Sequence, residues 1–179
     1  MTRIIAGNRK GQNLQAPKGG WMRPTTDRAK EWIFSVLQDV RDIRVLDLFC
    51  GAGNLGIEAL SRGAEHCTFV DQSSKAVAIT RENLHRTGYD ESMVTVVKME
   101  ARHFLEQNEQ AFPLILADPP YDYTDISSLI SLALHRLTEQ GVLVVEYSDT
   151  PQVTLPEGYE QLRTESLGRT TITIYGSVV

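Results

Sequence analysis

An α/β fold is predicted for these 179 residues. It comprises a mostly parallel sheet covered by helices on both faces, a C-terminal antiparallel strand pair and a small N-terminal β-hairpin outside the sheet. Two observations carry the prediction. Short, largely apolar runs recur at residues 44–49, 66–70, 93–97, 112–117 and 141–146, the composition of strands buried on both faces. Helix-length segments separate them, and alternating β and α units select a parallel sheet. A chain of this length can bury one substantial core. A single domain over 1–179 is therefore expected, with 1–25 as a hairpin and loop extension.

Ile4-Ile5 and Asn13-Leu14 flank a turn bounded by Gly7 and Gly11, which predicts the hairpin. Residues 17–21 read as loop. Trp32, Ile33, Val36, Leu37 and Val40 follow Ala29 at helical spacing, with Thr26 or Asp27 as N-cap. The strand at 44–49 runs into Cys50-Gly51-Ala52-Gly53-Asn54-Leu55-Gly56 and then the helical Ile57-Glu58-Ala59-Leu60. A second strand ends in Asp71, and Ser73 or Ser74 caps a helix reaching about Arg86. The third strand ends near Met99-Glu100-Ala101, and 101–108 reads as helix. The fourth strand, 112–117, leads into Asp118, and a helix is expected over 126–137. Strand 141–146 comes next, and the antiparallel pair falls near 161–165 and 170–175.

Ligands of such sheets gather beyond the carboxyl ends of the strands. Asp47, Gly51, Asp71, Glu100 and Asp118 all fall there, so one crevice should contain them. Strand, glycine turn and helix form a nucleotide-binding opening, and Gly51 and Gly53 allow close backbone approach. Asp71, twenty residues beyond Gly51, is placed to accept ribose hydroxyls. Gly51, Gly53 and Gly56 also satisfy the dinucleotide fingerprint of dehydrogenases. Asp47 argues against that reading, because its charge suits a cationic ligand better than a pyrophosphate. The plainer alternative for Asp47 is a carboxylate satisfied by glycine-loop amides.

Asp118, Pro119, Pro120 and Tyr121 suit nitrogen chemistry. An exocyclic amine on a heteroaromatic ring is a poor nucleophile, and something must accept its hydrogens. Asp118 offers charged acceptor oxygens, Pro119 a carbonyl in a fixed direction, and Tyr121 a face for an extruded base. A tight turn that only ends the strand is the alternative.

Asp47-Leu48-Phe49-Cys50-Gly51-Ala52-Gly53, Asp71 and the Asp-Pro-Pro-Tyr run, in this order, resemble class I S-adenosylmethionine-dependent methyltransferases. Within that class, three further segments are similar to the RsmD-type family: Arg3-Ile4-Ile5-Ala6-Gly7 with Gly11 and Leu14; Arg23-Pro24-Thr25 with Arg28; and Ser61-Arg62-Gly63-Ala64. The likeness covers nearly the whole chain. It implies a Rossmann-like class I methyltransferase sheet, S-adenosylmethionine as cofactor, and methylation of guanine N2 in bacterial small-subunit (16S) ribosomal RNA. By the same resemblance, Glu100 and Ala101 meet the adenine, while Asp118, Pro119, Pro120 and Tyr121 hold and stack the target base. RNA contact is implied for Arg3, Arg9, Lys10, Arg23, Thr25 and Arg28.

The formal net charge is −5, unpromising for an RNA enzyme until it is divided along the chain. Residues 1–30 carry seven basic side chains, Lys18 and Lys30 among them, against Asp27 alone, a net +6; the rest is −11. A local basic cluster drives phosphate contact despite an acidic body. The acidic remainder suggests a protein-bound ribosomal assembly intermediate as substrate. A solvated basic face without a partner is the alternative. Cys50 and Cys67 read as inert thiols, and the four histidines lack ligand spacing, so no metal is expected. The start lacks the apolar stretch of a signal peptide, and no apolar run approaches a membrane span. A cytoplasmic monomer is the expectation. Rival readings are a DNA adenine-N6 or cytosine-N4 methyltransferase, which usually carries a target-recognition insertion, and a catalytically inert RNA-binding module of the same fold.

Overall fold

The structure, a computed structural model, describes residues 2–16, 25–147 and 152–178. The expected loop at 17–21, Lys18 and Arg23 lie outside the described residues. Nine strands and five α-helices are described. The hairpin is β1 (Thr2–Arg3) against β2 (Asn13–Leu14), antiparallel with Thr2 opposite Leu14. Its turn needs Gly7, whose φ is +82° and whose position would drive a Cβ to 1.7 Å from the Ser61 carbonyl oxygen. Only glycine fits so close to another backbone.

Helix α1 (Asp27–Leu37) opens where Thr26 accepts the Ala29 N–H at 3.1 Å. It ends at Gln38, in the left-handed region at φ 61°, so Val40 lies beyond the helix while remaining buried. Then come β3 (Arg44–Leu48), α2 (Asn54–Ser61), β4 (His66–Asp71) and α3 (Ser74–Thr87), the last capped by Ser73 and stopped by Gly88 at φ 69°. They are followed by β5 (Val94–Lys98), α4 (Ala101–Gln107), β6 (Phe112–Ala117), α5 (Ile126–Leu134), β7 (Leu137–Tyr147), β8 (Tyr159–Leu167) and β9 (Thr170–Ser177). Strand pairing overrides helical periodicity at Leu137. That residue opens β7 opposite Phe112, whose N–H donates to the Arg136 carbonyl at 2.8 Å, so α5 stops three residues earlier than its apolar spacing suggests.

The seven-stranded sheet runs β5-β4-β3-β6-β7-β9-β8, parallel through β7 and antiparallel for β9 and β8. Period-two alternation sends Val45, Leu114, Leu116 and Val144 to one face, under α1, α2 and the hairpin. Leu46, Leu48, Ile115 and Leu143 go to the other, under α4 and α5. Each such side chain, fully buried, contributes about 1.5–3 kcal/mol. Strand order reverses at β3, flanked by β4 on one side and β6 on the other. A crevice therefore opens beyond the carboxyl ends of β3 and β6.

Candidate active site

That crevice is a cleft of about 520 Å³, a volume ordinary for small-molecule sites. Asp47, Gly51 and Asp71 meet Asp118, Pro119, Pro120 and Tyr121 around it, and Thr25 and Glu146 join them. Two regions far apart in sequence, Gly51 in the loop after β3 and Asp118 in the tetrapeptide after β6, 67 residues on, thus face one space. Register explains it: β3 and β6 pair with Leu48 opposite Ala117, and the Asp118 N–H points to the Leu48 carbonyl at 3.4 Å.

The glycine loop is pinned from behind. Its Gly51 carbonyl accepts from the Thr80 hydroxyl at 2.8 Å, and its Ala52 carbonyl from the Asn83 amide at 2.9 Å, both on α3. Gly51 N–H donates to Asp71 at 3.0 Å, and the second Asp71 oxygen accepts the Ser73 N–H at 2.8 Å. Each carboxylate oxygen keeps a lone pair for a further donor. Phe49, where the chain leaves β3, is in the left-handed region at φ 56°, a conformation costing about 1–3 kcal/mol. Its ring lines the cleft and meets Tyr123 edge-on at 5.3 Å between centroids.

Asp47 is almost wholly buried, and its carboxylate accepts the Gly56 N–H at 2.9 Å. Both readings of this residue therefore meet in one geometry. Burial pushes its carboxyl up to about 7; the Gly56 N–H opposes the rise and the neighbouring Asp71 charge adds to it. An acid so placed gains when a cation settles beside it. Asp118 is half-buried, and Tyr121 projects from the rim with 59% of its surface exposed.

Three further expected residues are not among those lining this cleft. Gly53 does not line the cleft; at φ +81° it makes the turn into α2, where a Cβ would press Ile57 and Thr80 at 3.1 and 3.2 Å. Glu100 and Ala101 also lie outside the lining. The Glu100 carboxylate turns back to cap α4, accepting the His103 N–H at 2.9 Å, and Ala101 is buried in the core.

The basic segment is divided by folding. Lys30 is fully buried, donating to the Arg3 carbonyl and lying 3.8 Å from both Asp27 and Glu58. Burial pulls its ammonium below the ordinary value, against Glu58 and Asp27. Arg3 pairs with Asp27 at 3.0 Å. Arg28 and Lys10 are exposed, and Arg9 lies 5.6 Å over the Tyr89 ring. The turn bearing Arg9 and Lys10 docks on Ser61, at the far end of α2, so an α2 of eight residues separates it from the cleft by roughly 12 Å.

Comparison with known proteins agrees with this geometry. The family described as Conserved hypothetical protein 95 matches residues 2–176. The chain belongs to the RsmD family of methyltransferases. It is 40% identical to YlbH of Bacillus subtilis, with 97% of each chain covered. It is 30% identical to the Ribosomal RNA small subunit methyltransferase D of Haemophilus influenzae, covering 97% of this chain and 92% of that one. The solved structure of YhhF from Escherichia coli superposes with a TM-score of 0.87 at 29% identity, covering 98% and 97% of the two chains. The Rossmann-like methyltransferase sheet of this family is the fold described above.

Sequence reasoning passed over Glu146 and Asn83. Glu146 ends an apolar strand on the functional edge, the same signal that exposed Asp118. Asn83 gave no signal, because its three bonds, to Ala52 O and to the N–H and carbonyl of Gln15, join segments far apart in the chain. Among the described residues, no cluster of His, Cys, Asp and Glu could hold a metal ion. No helix there is long and apolar enough to cross a membrane.

Proposed function

We propose that this RsmD-family chain transfers a methyl group from S-adenosylmethionine to the exocyclic N2 of a guanine in small-subunit ribosomal RNA. The cleft shared by the glycine loop and the Asp118 tetrapeptide is the observation that carries the reading. The name of the Haemophilus relative supports the RNA substrate.

When bound, S-adenosylmethionine supplies a methyl carbon activated by a sulfonium. Gly51 and the pinned loop present backbone to it, Asp71 offers acceptors to the ribose, and buried Asp47 favours its positive charge. Asp118 and the Pro119 carbonyl take the hydrogens of N2, aim its lone pair at the methyl carbon and draw the nitrogen toward tetrahedral geometry. A new C–N bond forms as the S–C bond breaks, and the proton shed by N2 leaves along its hydrogen bond to Asp118. Tyr121 at the rim stacks on the flipped base. Arg9 and Lys10, one helix-length away, hold flanking phosphates, an arrangement that favours an extended, protein-ordered RNA surface such as an assembly intermediate.

The test is incubation with labelled S-adenosylmethionine and, separately, small-subunit particles, free ribosomal RNA and duplex DNA, followed by mapping of the modified base. N2-methylguanine from particles or RNA is expected. Label on adenine N6 or cytosine N4 of DNA would overturn the reading, and cofactor binding without transfer to any substrate would favour an inert module.

A further inference from the structure

We infer that Glu146 is the residue that selects guanine, by accepting the N1–H beside the reacting N2. The assignment rests on the guanine-N2 reading above and deepens it. Asp118 grips an amine, and an amine is common to guanine, adenine and cytosine. Acceptors that grip the amine alone, Asp118 and the Pro119 carbonyl, do not separate them.

Three observations place Glu146 for the second contact. It lines the same cleft as Asp118 and is 8% exposed, unusual for a glutamate and the more so after the apolar Val142-Leu143-Val144-Val145. The parallel register of β6 and β7 pairs Leu116 with Val144 and Ala117 with Val145. One step further brings Asp118 and Glu146 abreast on adjacent strands, about 4.8 Å apart. Alternation puts both on the face that carries Asp47, which pairs with Leu116, so the carboxylates share one side of the sheet edge. Behind it, β9 holds the Glu146 backbone in register with Ile172, so the position is set by two neighbouring strands.

Base chemistry then discriminates. Guanine presents N1–H and N2–H₂ side by side, all donors, and two carboxylates abreast meet them. Adenine beside its N6 amine, and cytosine beside its N4 amine, present a ring nitrogen lone pair. That lone pair would face the Glu146 carboxylate, an acceptor against an acceptor.

The test compares guanine with 2-aminopurine, which keeps the 2-amino group but has a lone pair at N1, at the mapped target position of a synthetic ribosomal RNA substrate. Wild-type protein should prefer guanine in kcat/KM by roughly 5- to 150-fold, the range of a base-edge contact. Glu146→Ala should lose about that factor on guanine alone, bringing the ratio near one, with cofactor affinity by calorimetry unchanged. Glu146→Gln, near-isosteric and able to turn either an acceptor or a donor toward N1, should keep most guanine transfer and raise 2-aminopurine transfer. Equal loss on both bases, or an unchanged ratio in both variants, would overturn the assignment while leaving guanine-N2 transfer intact. Absence of any N2 methylation by the wild type would overturn both together.

Discussion

Two buried carboxylates, Asp47 at the cleft and Glu58 beneath the N-terminal hairpin, lie eleven residues apart and are treated in opposite ways by the fold. Glu58 is surrounded by donors: the N–H groups of Ile5 and Ala6 at 2.9 and 3.0 Å, the Arg62 guanidinium at 2.9 Å, and the Lys30 ammonium at 3.8 Å. Asp47, among the described residues, accepts one backbone N–H, from Gly56, and its carboxyl is pushed up to about 7. Burial alone does not distinguish them, since both are at most 2% exposed. Compensation does. A buried acid met on every side by donors is an anchor. One left under-compensated beside a cleft is prepared for a cation still to come.

The largest effect that sharpens this contrast lies on the cleft side. Asp118→Ala should reduce methyl transfer by about 10²–10⁴-fold, the range for a lost proton-handling group, while cofactor affinity by calorimetry stays nearly intact. Equal loss of both would mean that the residue serves the cofactor. At the dock, Glu58→Ala strands the Lys30 charge and two amides and should cost about 3–5 kcal/mol in denaturant unfolding. Faster hydrogen exchange at Ile5 and Ala6 should accompany it. An unaltered midpoint would remove Glu58 from its role as anchor.

Tyr121→Ala should raise KM for RNA by about 1–3 kcal/mol equivalent without moving cofactor affinity, as expected for a lost stacking face. A pH-dependent effect separates the two acids most finely. Because the Asp47 carboxyl is raised from 3.8 to about 7, its protonated form is favoured in the cofactor-free fold, and its contribution to stability is lost as pH rises from about 4 through 7. Asp47→Asn should therefore stabilise the cofactor-free protein more at pH 8 than at pH 4, by about 1.4 kcal/mol for each pKa unit of that rise. A bound sulfonium favours the ionised acid, so wild-type cofactor affinity should climb between pH 6 and 8. A flat profile in Asp47→Asn is expected, and one as steep as the wild type would assign the titration to another group.

Most of the sheet was legible in the sequence, because strands buried on both faces are rich in apolar residues: β6 is wholly apolar, and β3 and β4 carry Val45, Leu46 and Leu48 and Cys67, Phe69 and Val70. Ends were less so. Leu137 continues the apolar spacing of α5, yet pairing with Phe112 claims it for β7. The cleft was legible at Asp47, Gly51, Asp71 and Asp118, since each terminates a strand or begins the loop after it. Glu100 shares that address, and its carboxylate also accepts the His103 N–H at the start of α4. Counting Lys30 among the basic residues available to RNA failed for a tertiary reason: its partner Glu58 is 28 residues distant and meets it only once α2 lies against α1. Asn83 was invisible on the same ground.

Methyl transfer here requires donor and acceptor sites that open into one space, and a bisubstrate ligand measures that directly. The probe is an adenosine-amino acid unit joined at its donor centre to guanine N2 and titrated by calorimetry against S-adenosylhomocysteine alone. The linked ligand should bind at least about tenfold more tightly, since tethering makes the second contact intramolecular. Asp118→Ala should bring it back to the affinity of S-adenosylhomocysteine. Equal affinities for the two ligands in the wild type would contradict the single cleft.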